Sequence, residues 1–377
     1  MSPTLKTLLL VMMVSALTFG FLHHLTPPEV HNLERLHIFL FNLCSGGTLL
    51  LYFTENRRHL SWRGKVFLGL ALAFALCAFF QWYLPAMLIP LVLAVVVEAV
   101  RVSHFGTFLP RALFTWAEPV YRKFHQAALL CLSIGLVLSS LVILNDTYLH
   151  WYVNDKLELN TFFLGFSFPV SLISMSVIFS LMDSNPLPLT RMLRETAFWV
   201  VNLGVIIFFL FILAQMFIPQ VVISVTLFAC VVMILHLYYR HGLDVQQKAF
   251  LTSGILFLTV TAITGISYIL LEFSSYYTKE LSEPLLRLHT FTALYGWNLS
   301  GLAVISRHDD FPIQLHSKPV ISLHWLTVLV LCPLGYFFPL SALLAVLAYG
   351  WLLVELFFRQ GRVDRDVTTS QTKSISG

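Results

Sequence analysis

The chain has 377 residues, 58% of them hydrophobic and only 11% charged, with a mean hydropathy of +0.80. Soluble domains carry roughly 25% charged residues, so this composition excludes a water-soluble globular enzyme. The net charge of +4 is small and spread along the chain, which gives no basis for nucleic-acid binding.

A membrane span needs about 20 apolar residues to cross about 30 Å of hydrocarbon. Twelve such stretches follow one another, at 5–25, 36–53, 64–84, 86–103, 124–145, 160–182, 196–215, 217–239, 249–273, 285–306, 320–338 and 339–358. The first follows Lys6 in the manner of a signal peptide. However, Phe21-Leu22-His23-His24 offers no small-residue cleavage site, so the stretch reads as a retained helix. The second opens on Arg35-Leu36-His37 and carries Cys44, Ser45, Gly46 and Gly47. The fourth carries Glu98 and Arg101, and the fifth opens on Arg122-Lys123-Phe124-His125. Pro169 interrupts the sixth, and His236 lies late in the eighth. The tenth opens on Arg287-Leu288-His289 and continues through Gly296, Ser300 and Gly301, while His324 lies in the eleventh. Residues 359–377 turn polar and rich in serine and threonine, the composition of a disordered tail. The expected architecture is all-α and polytopic: one membrane domain of about twelve transmembrane helices over 1–358, then a cytoplasmic tail.

Lysine and arginine placement orients the chain. With the N-terminus inside, the outer face keeps only Arg35, Lys156, Lys279 and Arg287 of the 23 basic residues. Positive charge stays on the cytoplasmic side, which places both termini there. A multi-pass protein of a bacterial-type inner (plasma) membrane is expected. The five cysteines, Cys44, Cys77, Cys131, Cys230 and Cys332, fall singly within spans. That spacing offers neither an iron–sulfur or zinc framework nor a disulfide scaffold.

The 14 histidines are the informative residues. This topology puts His23, His24, His31, His37, His150 and His289 towards the outer face, and the others, His125, His236, His316 and His324 among them, towards the inner one. The Arg-Leu-His triplet occurs twice, at the outer ends of the two spans that begin at 36 and 285. Two histidines facing each other across a helical bundle are what a buried haem iron needs. Arg35 and Arg287 would hold the haem propionates. Asn42, Thr290, Thr292 and Asn298 are candidates to fix the imidazoles. Read from residues alone, the triplet equally fits an interfacial arginine snorkelling to lipid headgroups. His125, His236 and His324 form a second, weaker set: a second haem site or, with Glu98 and Arg101, a quinone pocket or proton entry.

Twelve spans, cytoplasmic ends, and histidines near the outer ends of spans two and ten resemble subunit I of the haem–copper oxidase superfamily. The segment His289-Thr-Phe-Thr-Ala-Leu-Tyr-Gly296 looks like the His-x-His segment of that family's tenth span, and 37–47 is similar to its second span. The resemblance implies that His37 and His289 are axial ligands of a low-spin haem b. It also departs from the family. Arg287 stands where the high-spin haem ligand would be. In Phe162-Phe163-Leu164-Gly165-Phe166-Ser167-Phe168-Pro169-Val170 no histidine precedes the proline and no glutamate follows it. Between Trp199 and Gln215 there is no histidine pair. No copper is therefore expected. A weaker similarity, at Leu288-His289, Gly296-Trp297 and Gly301, is to the NnrS family, whose His-Ala-His-Glu motif is missing here.

The resemblance implies an electron-transfer protein working between quinone and a c-type cytochrome or other redox subunit, embedded in membrane lipid and without catalysis of its own. A non-haem transporter or receptor, or the anchor subunit of a larger complex, stays open. No nucleophile–base arrangement or phosphate loop appears.

Overall fold

The computed structural model describes residues 1–25, 33–57, 59–154, 156–315 and 317–361. His31, His316 and the tail beyond 361 lie outside the described residues. All regular structure among the described residues is helical. The principal helices are α1 (Pro3–Leu25), α2 (Leu33–Glu55), α3 (Trp62–Phe79), α4 (Tyr83–Phe105), α5 (Val120–Leu149) and α6 (Phe163–Ser180). They continue with α7 (Pro188–Leu213), α8 (Phe217–His241), α9 (Lys248–Glu272), α10 (279–306), α11 (Lys318–Phe337) and α12 (Pro339–Phe358).

Eleven of these, all but α10, are long and apolar enough to cross a membrane. The sequence predicts a twelfth at 285–306. That stretch is helical but too polar to stand with the others, because His289, Thr290, Thr292, Asn298 and Ser300 lie along it. Its second half is enclosed by other helices: every residue from Leu294 to Ser306 is buried. A helix wrapped by other helices has no need of an apolar perimeter.

Burial separates centre from rim. In α2, 83% of the apolar window is buried, against 22% in α8. The central helices share a second trait. π-helical turns interrupt α2 at Phe39–Gly47 and α10 at Thr292–Asn298 and open α6 at Phe163–Ser167, with another in α11 at Thr327–Leu331. In α2 the Ser45 hydroxyl donates to the Leu40 carbonyl five residues back, satisfying one of the acceptors that the widened turn leaves exposed. Helices α5 and α6 meet backbone to backbone at Gly135 and Gly165, where a Cβ on Gly165 would stand 2.9 Å from the Gly135 Cα. Met1 and Arg307 line one cleft, and Arg307 donates to the Arg359 carbonyl at 2.7 Å. The described ends of the chain thus lie at the same end of the bundle.

Candidate functional site

The two Arg-Leu-His triplets fold into matching settings. The His37 Nδ1 lies 2.9 Å from the Ala16 carbonyl oxygen on α1. The His289 Nδ1 lies 2.9 Å from the Thr261 carbonyl oxygen on α9. A carbonyl has no proton to give, so each Nδ1 must carry the hydrogen, and each Nε2 is left as a bare lone pair. No hydrogen bond reaches either Nε2 among the described residues. Four residues past each carbonyl comes a glycine, Gly20 on α1 and Gly265 on α9, on which the ring lies. A Cβ at Gly20 would be 2.7 Å from the His37 Nδ1, and one at Gly265 would be 3.0 Å from the His289 Cε1. Thus α1–α2 and α9–α10 are two hairpins with one local design: carbonyl, glycine four residues later, and an anchored imidazole from the next helix.

The anchors are not the side chains expected from sequence. Thr292 donates to carbonyls of its own helix and accepts from Thr261. Asn298 binds Asn42 and Ser167 in the middle of the bundle. Neither reaches an imidazole, because backbone carbonyls on the adjoining helices are nearer.

The two histidines use different faces of α10. Arg287 pairs with Glu34 on α2 at 3.2 Å and with Glu283 on its own helix at 3.6 Å. Phe291 packs on Phe21 of α1, ring centroids 5.8 Å apart. The Tyr295 hydroxyl is 2.9 Å from the His37 Nδ1. These three residues, one turn apart, face α1 and α2. His289 is two residues from both Arg287 and Phe291, which is roughly 200° around the helix, and it faces α9. The Arg287–Glu34 contact sets both triplets at one level, yet the imidazoles do not point at one another. Arg35 turns elsewhere again, its Nη1 donating to the Ala78 carbonyl at the end of α3. A crevice at His37, bordered by Gly20, His23, Glu34, Arg287 and Phe291, has a volume of only about 10 Å³, room for about one water molecule.

The inner set is dispersed. The His125 Nε2 lies 2.7 Å from the Thr54 hydroxyl, whose own proton goes to the Leu50 carbonyl, so His125 is the donor. Its ring is packed by Phe53, His104 and Phe105. His324 is fully buried beside Tyr295, donating from Nε2 to that residue's carbonyl at 2.6 Å, with Phe257 against its ring. Its Nδ1 has no partner. His236 lies exposed on α8. Glu98 and Arg101 pair with each other at 2.6 Å, and Ser133 and the Phe108 carbonyl complete the group.

Two features escape sequence reading. Lys123 on α5 and Glu195 on α7 form a buried ion pair, with Nζ 2.7 Å and 3.0 Å from the two carboxylate oxygens. In the centre, Asn42, Ser167 and Asn298 meet from the π-turns of α2, α6 and α10, leaving the Asn42 Nδ2 and the Asn298 Oδ1 without partners. Polar residues in apolar spans were the available signal for both. Among the described residues no cluster of three or more His, Cys, Asp or Glu side chains is set to hold a metal ion.

Compared with protein-family models, curated proteins and solved structures, the chain matches none.

Proposed function

We propose that this is an integral-membrane haem b protein for electron transfer, a relative in plan of haem–copper oxidase subunit I without the copper centre. In this reading α10 crosses the membrane with the other eleven helices, which fits both described chain ends lying at one end of the bundle. The excess of lysine and arginine at that end supports a cytoplasmic placement in a bacterial-type inner membrane.

One observation carries the reading: His37 and His289 are held by Nδ1–H to backbone carbonyls with Nε2 bare. That is the tautomer and orientation an iron-ligating imidazole requires. The donor chemistry of each residue therefore fits haem iron. A single haem shared between them does not fit, since the rings lie on opposite sides of α10. Nor do the two arginines fit as a propionate clamp: Arg287 is engaged by Glu34 and Glu283, and Arg35 points to the end of α3. A macrocycle at His37 enters only by parting the outer ends of α1, α2 and α10, because the crevice there holds no more than a water. Bound haem would supply one-electron redox chemistry. The chain's own contribution is to fix the imidazoles, hold their Nδ1 protons, and keep water from the buried side of the rings.

A second reading, a non-haem carrier, is favoured by the Asn42–Ser167–Asn298 group. Unpartnered polar atoms at mid-bundle, on helices with interrupted α-ladders, are what a polar translocation path uses. A reduced-minus-oxidised absorption spectrum of protein purified from haem-supplied cells separates the two. A b-type spectrum is expected; a pure, folded and haem-free protein would overturn the haem reading in favour of the carrier.

A further inference from the structure

We infer that the loop joining α4 to α5, residues 106–119, together with the start of α7, is an interfacial plate that binds acidic phospholipid at the end of the bundle where Lys123 lies. The inference uses neither triplet histidine and stands whether or not the chain holds haem. Phe108, Leu109, Phe114 and Trp116 on the loop, with Leu187 and Leu189 where α7 begins, are each more than half exposed. In water so many uncovered apolar side chains on one surface would be a liability. The loop is nevertheless firmly held. Buried Arg101, paired with Glu98, donates to the Phe108 carbonyl at 2.6 Å and to the Thr107 carbonyl at 3.5 Å. Arg191 on α7 donates to the Trp116 carbonyl. The Leu113 and Thr115 amides bond back to the Pro110 and Ala112 carbonyls around the 3₁₀ turn Arg111–Phe114. The backbone is thus tied down from beneath and by its own turn, while the large side chains face out. An irregular segment at the boundary of headgroups and acyl chains needs that arrangement, with few bare backbone groups and aromatic rings at its surface.

Charge names the occupant. Glu118, the loop's only acid, is taken by Arg122 at 2.9 Å. Arg111 is exposed and pairs with no carboxylate among the described residues, and exposed Arg191 donates only to the Trp116 carbonyl. Two guanidiniums at the rim of an apolar plate suit a phosphate-bearing headgroup whose acyl chains meet the rings. The plate also runs on into the flanks of α4 and α7, where only 33% and 28% of the apolar windows are buried. The lipid that covers those helices is therefore continuous with it.

The test is lipid retention by the full-length protein reconstituted in nanodiscs of phosphatidylcholine, alone or with phosphatidylglycerol. Native mass spectrometry counts the lipid held by the parent, Arg111→Gln, Arg111→Lys and the double variant Arg111→Gln, Arg191→Gln. The parent should retain phosphatidylglycerol in preference to phosphatidylcholine. Arg111→Gln should lower that preference roughly fivefold, the effect of one cation near an anionic surface. Arg111→Lys should keep it, and the double variant should lower it further. Arg191 also braces the loop, so the Arg111 variants, which remove no pairing within the protein, decide the matter. Depth is read separately: phosphatidylcholine brominated near the headgroup should quench the fluorescence that Trp116→Phe removes. Equal retention of the two lipids, or a Trp116 signal untouched by brominated lipid, would overturn the inference. Stabilisation in detergent by inorganic phosphate as large as that by phosphatidylglycerol would overturn it in favour of a free-anion site. Trp116→Glu that splits an oligomer and leaves lipid retention unchanged would overturn it in favour of a protein partner.

Discussion

The end of the bundle that holds the two Arg-Leu-His triplets and the opposite end, where α4, α5 and α7 meet, both carry ionisable groups at the edge of an apolar bundle, but they treat them differently. At the Lys123 end the principal charges are closed in pairs, although the Arg194 Nε and Nη2 have no hydrogen-bond partner. Lys123 is matched by both oxygens of Glu195, Arg101 by Glu98, and the His125 Nε2 by Thr54. At the triplet end His37 and His289 are bonded on Nδ1 and bare on Nε2, whereas His125 is bonded on Nε2, with no hydrogen bond to its Nδ1 among the described residues. A closed set of polar contacts holds helices together, whereas a half-closed one leaves chemistry to be completed by something else. What sets His37 and His289 apart from His125 is the backbone carbonyl on each Nδ1 and the glycine beneath each ring, in keeping with the weaker standing that the sequence gave His125.

The contrast can be broken at several points. The largest effect is expected at Lys123. Replacing it by methionine strands a buried carboxylate and should lower stability by about 3–5 kcal/mol, while adding Glu195→Leu should recover most of the loss. Unfolding of the parent and the two variants in detergent, followed by tryptophan fluorescence, checks this; a single substitution as stable as the parent would show the pair is not closed. Next, Gly135→Ala drives a methyl into the Gly165 backbone and should cost about 1–3 kcal/mol, measured the same way. Asn298→Leu removes the link between Asn42 and Ser167 and leaves their polar groups buried, a loss of about 1–3 kcal/mol. If Asn298 instead lines a translocation path, transport should fall more than stability. Tyr295→Phe removes one hydroxyl from the His37 Nδ1 while Ala16 remains, so a change of only about 0.5–1.5 kcal/mol is expected, with any haem spectrum retained. Smallest of all, His125→Phe should leave haem content unchanged, since an aromatic ring still fills the space between Phe53 and Phe105. Loss of haem in that variant would erase the distinction between the two ends.

The apolar stretches were legible in the sequence because crossing hydrocarbon demands long runs of a few residue types. The one too polar to stand with the rest ends where the pattern places it, at Ser306, although its helix begins earlier, at Lys279. The two triplets were legible as well. What could not be read is what the histidines touch. Ala16 and Thr261 act through backbone carbonyls, which any residue supplies, so no side chain announces them. That Arg287 and His289 lie on opposite sides of one helix follows from their spacing, but which neighbour each side meets depends on packing. Lys123 reads as one more basic residue beside Arg122, and its partner lies 72 positions away. The π-turns have no residue signature at all, since they reflect how the helix is wound.

That winding has a consequence for how such a protein can change. A π-turn is a helix carrying one residue more than its ladder needs, and in α10 the turn at Thr292–Asn298 begins just past His289. Loss of that extra residue would close the turn to an ordinary α-helix and leave both halves docked, whereas a deletion in the regular helix between Leu281 and Leu288 would turn the segment before it by roughly 100°. Changes of one residue in length among related chains are therefore expected to collect at Thr292–Asn298, where His289 keeps its neighbour on α9.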